Sequence, residues 1–156
     1  MLIRIAAGIA LVAALWAVFR LAMALRWSKV SREGSRSAFE SGGRRVVAEI
    51  PLADELLFFL EDDAGFYWGG LEVRKSEVLG ARMLLNGGVI GSFHRPGAVL
   101  PDPPPAEEYE GRERWDVLVY CGSRNEAVPC GSLREGVSRE IASRVFEAVR
   151  RAAPPG

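Results

Sequence analysis

The chain has 156 residues and a mass of 17.0 kDa, and its 20 basic and 20 acidic side chains leave no formal net charge. That length holds one ordinary domain plus an appendage, and residues 46–113 carry thirteen carboxylates against five basic groups, which argues against nucleic-acid binding by the main domain. A single histidine, His94, and two cysteines, Cys121 and Cys130, exclude most metal sites, histidine-based triads and disulfide scaffolds.

Residues 5–25 (IAAGIALVAALWAVFRLAMAL) are apolar except for Arg20. A helix of that length, rising about 1.5 Å per residue, spans roughly the 30 Å hydrocarbon core of a bilayer. The expectation is a transmembrane anchor over residues 1–27, with Trp16, Phe19 and Trp27 toward one interface. A cleaved signal peptide ending at Ala22-Met23-Ala24 is the rival reading. Arg26, Lys29, Arg32 and Arg36 form a basic collar behind the apolar run. The positive-inside rule then expects the following domain in the cytoplasm, at the inner cell membrane. The same four side chains are the candidates for contact with anionic lipid headgroups. Ala6, Ala10, Ala13 and Ala17 fall on one helical seam, where a second copy could pack closely to form a homodimer. Residues 28–43 (SKVSREGSRSAFESGG) have no hydrophobic period and read as a juxtamembrane linker.

The globular part is expected over residues 44–153, and it opens in strands. Residues 45–50 and 55–60 are short apolar runs broken by Pro51 and by Glu61-Asp62-Asp63-Ala64-Gly65. Phe66-Tyr67-Trp68 begins a third run, which residues 71–73 continue past a bulge at Gly69-Gly70. Residues 78–85 and 89–93 flank Asn86-Gly87, the strongest short hairpin signal. Residues 94–113 form a loop insertion around Pro101-Asp102-Pro103-Pro104-Pro105, a run that cannot join a sheet interior. Residues 114–121 (RWDVLVYC) are the clearest strand, with Trp115, Val117, Val119 and Cys121 on one face. Residues 127–129 make a short final strand. A turn centred on Asn125 and Glu126 would set Cys121 opposite Cys130, allowing a disulfide in an oxidising compartment.

A helix closes the chain. Ser132-Leu133-Arg134-Glu135 reads as a capping box, and Leu133, Val137, Ile141, Ala142, Val145, Phe146 and Val149 make one apolar stripe. Glu135–Arg139, Glu140–Arg144 and Glu147–Arg151 are spaced as i,i+4 pairs. The fold class is therefore α+β: an N-terminal transmembrane helix, then a bent antiparallel sheet or partly open barrel of about six or seven strands, closed by a C-terminal amphipathic helix.

Three stretches carry a family resemblance: Gly65-Phe66-Tyr67-Trp68 leading into residues 71–78 (LEVRKSEV), the strand 115–121, and the helix entry 132–135. They resemble bacterial pleckstrin-homology-like domains on membrane-anchored proteins, over residues 46–151. The Pro-rich insertion departs from a compact member of that group. The resemblance implies a scaffolding or interaction module and does not imply phosphoinositide binding.

No phosphate loop or nucleophile elbow occurs; Gly87-Gly88-Val89-Ile90-Gly91 has the wrong spacing and lies in a hairpin. Glu61-Asp62-Asp63 reads as a solvated turn, and His94 as a surface histidine, so no catalytic, cofactor-binding or metal residue is assigned. In Phe66-Tyr67-Trp68 the first and third rings share one side of a strand and Tyr67 takes the other; core packing is the first reading, and Tyr67 and Trp68 are the candidates for an interaction surface. The expected function is a membrane-tethered, non-enzymatic module that binds a protein partner or supports assembly. Two alternatives stay open: an exported binding domain with a Cys121–Cys130 disulfide, and a hydrolase or transferase built on the acidic patch at Asp62 and Asp63 without a local motif.

Overall fold

The computed structural model describes residues 16, 18, 33–52, 55–103, 105, 113–122, 124–131 and 136–153. The chain divides into two compact units, Met1–Gly42 and Gly43–Gly156. In the first, residues 33–41, expected as linker, are helical. An exposed Arg36–Glu40 ion pair of 2.9 Å braces this helix at i,i+4, and the Gly42 amide closes it on the Ala38 and Phe39 carbonyls. No helix among the described residues is long and apolar enough to cross a membrane, so the expected transmembrane helix has no support in the structure. Of the span expected at residues 5–25, only Trp16 and Val18 are described, each helical and exposed; the rest lies outside the described residues. The seam of Ala6, Ala10, Ala13 and Ala17 also lies outside them, as do Arg26, Lys29 and Arg32 of the basic collar.

Among the described residues the second unit holds eight strands in two four-stranded antiparallel sheets, which corrects the expected single bent sheet or partly open barrel of six or seven strands. The first sheet runs in sequence order: β1 (Arg45–Pro51), β2 (Leu56–Glu61), β3 (Gly65–Trp68) and β4 (Leu71–Arg74). A short 3-10 turn, Lys75–Glu77, leads to the second sheet. That sheet has β6 (Gly88–His94), β5 (Val78–Leu85), β7 (Trp115–Cys121) and β8 (Arg124–Gly131) side by side in that order.

The differences from expectation lie in the turns. Gly69 and Gly70 have φ of 52° and 79°, and Trp68 pairs with Leu71. This is a two-residue reverse turn of the kind that matches strand twist, so one strand with a bulge becomes the hairpin β3–β4. Asn86 (φ 49°) and Gly87 (φ 81°) make the expected hairpin in the same way, and Gly88 belongs to the strand as the partner of Leu85. The β7–β8 turn begins at Gly122 (φ 56°), and Cys121 pairs with Arg124. β8 therefore begins three residues earlier than expected, and Cys130 lies beside Asp116 and Trp115 at the far end of the ladder. Five residues of strand, about 16 Å, separate the two cysteines along β7. A disulfide needs Cα atoms within about 7 Å, so the register excludes that bond, and both thiols are free and buried.

One core lies between the sheets and the C-terminal helix (Val137–Ala152). The first sheet contributes Ala48, Ile50, Phe59, Phe66, Trp68 and Val73, and the second Val78, Ala81, Val117, Val119, Val128 and both cysteines. Phe59 meets the Phe66 and Trp68 rings at centroid distances of 5.5 and 5.4 Å. Ile141, Ala142, Val145, Phe146 and Val149 are buried as the apolar stripe requires, and Phe146 packs edge-on against Phe93 at 5.5 Å. The described helix begins after Gly136, which gives no side-chain cap; Val137 is half exposed, and Ser138 is buried in its place. Residues 132–135, the expected capping box, lie outside the described residues.

Candidate functional site

The sequence singled out Tyr67 and Trp68. Alternation in β3 sends them to opposite faces, and the inward one is Trp68, only 4% exposed. Its indole N–H donates to the Ala127 carbonyl at 3.1 Å, tying the first sheet to β8, so Trp68 offers no surface to a partner. Tyr67 faces outward under Arg44, whose guanidinium carbon stands 4.0 Å from the ring centroid. Its hydroxyl bonds to Asp62, and chiefly for that reason its own ionisation moves up from the usual range. Arg36, the described member of the basic collar, is paired with Glu40.

The acidic cluster resolves into separate local tasks. Asp62 Oδ1 accepts the Ala64 and Gly65 amides, each at 2.9 Å, closing the β2–β3 turn as an Asx turn. Its slight burial opposes ionisation, but those amides, Tyr67 and Arg44 outweigh it and hold the carboxyl below its usual range. Glu61 is clasped by Arg45 and by Lys75 at 2.9 Å. Burial would raise its pKa; the two cations prevail and lower it. Asp63 is exposed. His94 is exposed, and its Nδ1 contacts the Arg95 carbonyl at 3.1 Å. Among the described residues no three His, Cys, Asp or Glu side chains gather as a metal site.

Two other places were not singled out from the sequence. The first is a groove of about 560 Å³ lined by Arg45, Val46 and Val47 of β1 and by Glu140, Ser143, Arg144, Glu147 and Arg151 of the C-terminal helix. β1 is the outer strand of its sheet and has no ladder partner on this side among the described residues. A register shift between Val46 and Ala48 puts an extra residue, Val47, into that edge. Most charges in the groove are engaged: Arg45 with Glu61, Arg144 with Glu140, and Glu147 with Arg150 at 3.0 Å rather than with Arg151 as the spacing predicted. Arg151 is exposed and makes no ion pair among the described residues. The groove thus combines an open strand edge, two half-buried valines and one uncommitted guanidinium.

The second is the outer face of the second sheet, where Leu84, Leu118 and Tyr120 form a small separate cluster. Residues 95–103, expected as free loop, cross it as a strap. Arg82 donates to the carbonyls of Pro101 at 2.8 Å and Leu100 at 3.5 Å, and Leu100 packs into the cluster. The sequence did hold a signal for this face: Arg82 is the one charge in the strand VLGARMLL. Asp116 lies on the same face, across from Leu84 and Pro129. Its Oδ2 meets Arg114 at 2.8 Å, while Oδ1 is buried with no hydrogen-bond partner among the described residues. Burial raises its pKa and Arg114 offsets only part of that.

Comparison of the chain with protein-family models, curated proteins and solved structures yields no match, so no family supplies roles for these residues.

Proposed function

We propose that this protein is a non-enzymatic binding module that receives an extended segment of a partner protein along the open edge of β1. The observation that carries the reading is the groove itself: an unpaired strand edge walled by a helix. An added strand would gain main-chain hydrogen bonds from β1, side-chain contact with Val46 and Val47, and a carboxylate partner for Arg151. Such sites draw affinity from the backbone ladder and specificity from a few side-chain contacts. The carboxylates of the acidic turn support the same reading, since Glu61 and Asp62 are spent on ion pairs and on closing a turn.

The test uses the full chain and a displayed library of extended peptides. Selected peptides should carry an acidic residue, perturb the amide resonances of residues 45–47 and of helix residues 143–151, and lose about tenfold or more in affinity against Arg151→Glu, the size of one charge-assisted contact. Peptides that perturb a different surface, or that bind the Arg151→Glu variant equally well, would overturn the proposal.

A further inference from the structure

The strap over the second sheet is seated as a peptide ligand would be. Beyond the turn at Arg95–Ala98 (Ala98 N–H to Arg95 carbonyl, 3.0 Å), residues 99–103 make no backbone–backbone hydrogen bond to a strand among the described residues. They are held by one apolar side chain, Leu100, and by the carbonyls of Leu100 and Pro101, which accept from Arg82. Arg82 also has a partner outside the strap. It donates to the Tyr120 hydroxyl at 3.2 Å and lies 5.4 Å from the centroid of that ring, and Tyr120 is fully buried. Gly80 completes the depression, since a Cβ there would stand 3.0 Å from Leu100 Cδ1. Because no ladder bond secures residues 99–103, they can leave without breaking the sheet.

We propose that the outer face of β5 and β7, around Arg82, Leu118 and Tyr120, is a binding site for an extended Leu-Pro peptide of a partner protein, occupied in cis by Leu100-Pro101. The bound strap shows the chemistry the site accepts: a leucine side chain in an apolar depression, and two successive carbonyls presented to a fixed guanidinium. Proline suits the second position because it holds the chain extended and lowers the ordering cost of binding. Recognition through carbonyls leaves the flanking side chains free to vary. The strap sets the threshold, since the apparent affinity for an incoming peptide falls by the fraction of molecules in which the strap is lifted.

The experiment titrates a fluorescent peptide of sequence AVLPDP, copied from residues 98–103, into the full chain and follows anisotropy. Leu100→Ser weakens the strap and should bind the peptide at least tenfold more tightly than the parent protein. Adding Arg82→Gln should remove at least tenfold of that binding. A folded Leu100→Ser protein that shows no saturable binding overturns the proposal, and so does binding indifferent to Arg82→Gln. If Leu100→Ser does not fold, the parent protein is titrated with millimolar peptide while the Leu84 and Leu118 methyl resonances are followed. Saturable shifts support the site, and their absence overturns it.

Discussion

Gly65 is the sharpest probe of the first sheet. It begins β3, pairs with Arg74 across the β3–β4 hairpin, and a Cβ on it would lie 2.6 Å from the Val73 carbonyl oxygen. The two nearest atoms after that are also backbone, Val73 C at 3.3 Å and Arg74 Cα at 3.5 Å, so no flexible side chain can yield. Gly65→Ala must push β3 and β4 apart by several tenths of an ångström. The Gly69-Gly70 turn holds the hairpin closed, and Val73 is fully buried in the core beside Phe66, so the displacement spreads into packed side chains. Overpacking of this kind costs about 1–3 kcal/mol. The lost flexibility of the unfolded chain returns about 0.4–1 kcal/mol, leaving a net loss of about 1–2 kcal/mol. For a domain of this size that lowers Tm by about 4–8 °C. Gly91→Ala is the control: the atoms nearest its Cβ would be the Met83 methyl and the Phe146 ring, at 3.7–3.8 Å, which is ordinary contact. Urea unfolding followed by circular dichroism should give a lower midpoint for Gly65→Ala at unchanged m, and a midpoint close to the parent's for Gly91→Ala. Equal midpoints for the two variants would refute the backbone approach on which the argument stands.

Two further outcomes follow from buried groups. Asp116 has its folded pKa raised by burial, so ionising it opposes folding; its contribution to stability should decline as pH rises from the ordinary Asp range through the folded pKa, then stay level. Urea midpoints of the parent and Asp116→Asn proteins, measured between pH 3 and pH 7, should therefore diverge in favour of Asn as pH rises, and a gap independent of pH would contradict the burial. Burial pushes the Cys121 thiol up to about 11 and raises Cys130 further. A thiol reagent at pH 8 should label neither in the native protein and both in urea, and a Cys121–Cys130 disulfide recovered from oxidised native protein would disprove the β7–β8 register.

Much of the second unit was legible in the sequence where local pattern and burial agree. The apolar stripe at Ile141, Val145 and Val149 puts one side of the helix out of water, and that requirement holds whatever the partner; residues 115–121 read as a strand with one apolar face, yet all seven are buried, because the strap covers the other face. Asn86-Gly87 encodes its turn through backbone conformation alone. Gly69-Gly70 carries the same conformational freedom, but a bulge and a hairpin turn use glycine equally well, and only pairing of β3 with β4 chooses between them. The β7–β8 register depended on which residues turned, and a shift of that turn carried the cysteines from facing partners to opposite ends of a ladder.

The candidate sites were the least legible, because each joins residues distant along the chain. The β1 groove needs a helix about a hundred residues downstream to wall a strand edge, and nothing in RVVAEI announces that its outer side stays open. Trp68 was open to both core packing and surface contact in the sequence, and the second sheet decided it by supplying the Ala127 carbonyl for its indole. The strap needs Arg82, Leu100 and Tyr120 together. Sequence alone determined the elements with a wet and a dry face, since that division follows from each element's own periodicity. Tertiary structure decided how the strands divide into two sheets, which edge remains open and what covers the outer face, because those outcomes depend on competition among surfaces that are not neighbours in the chain.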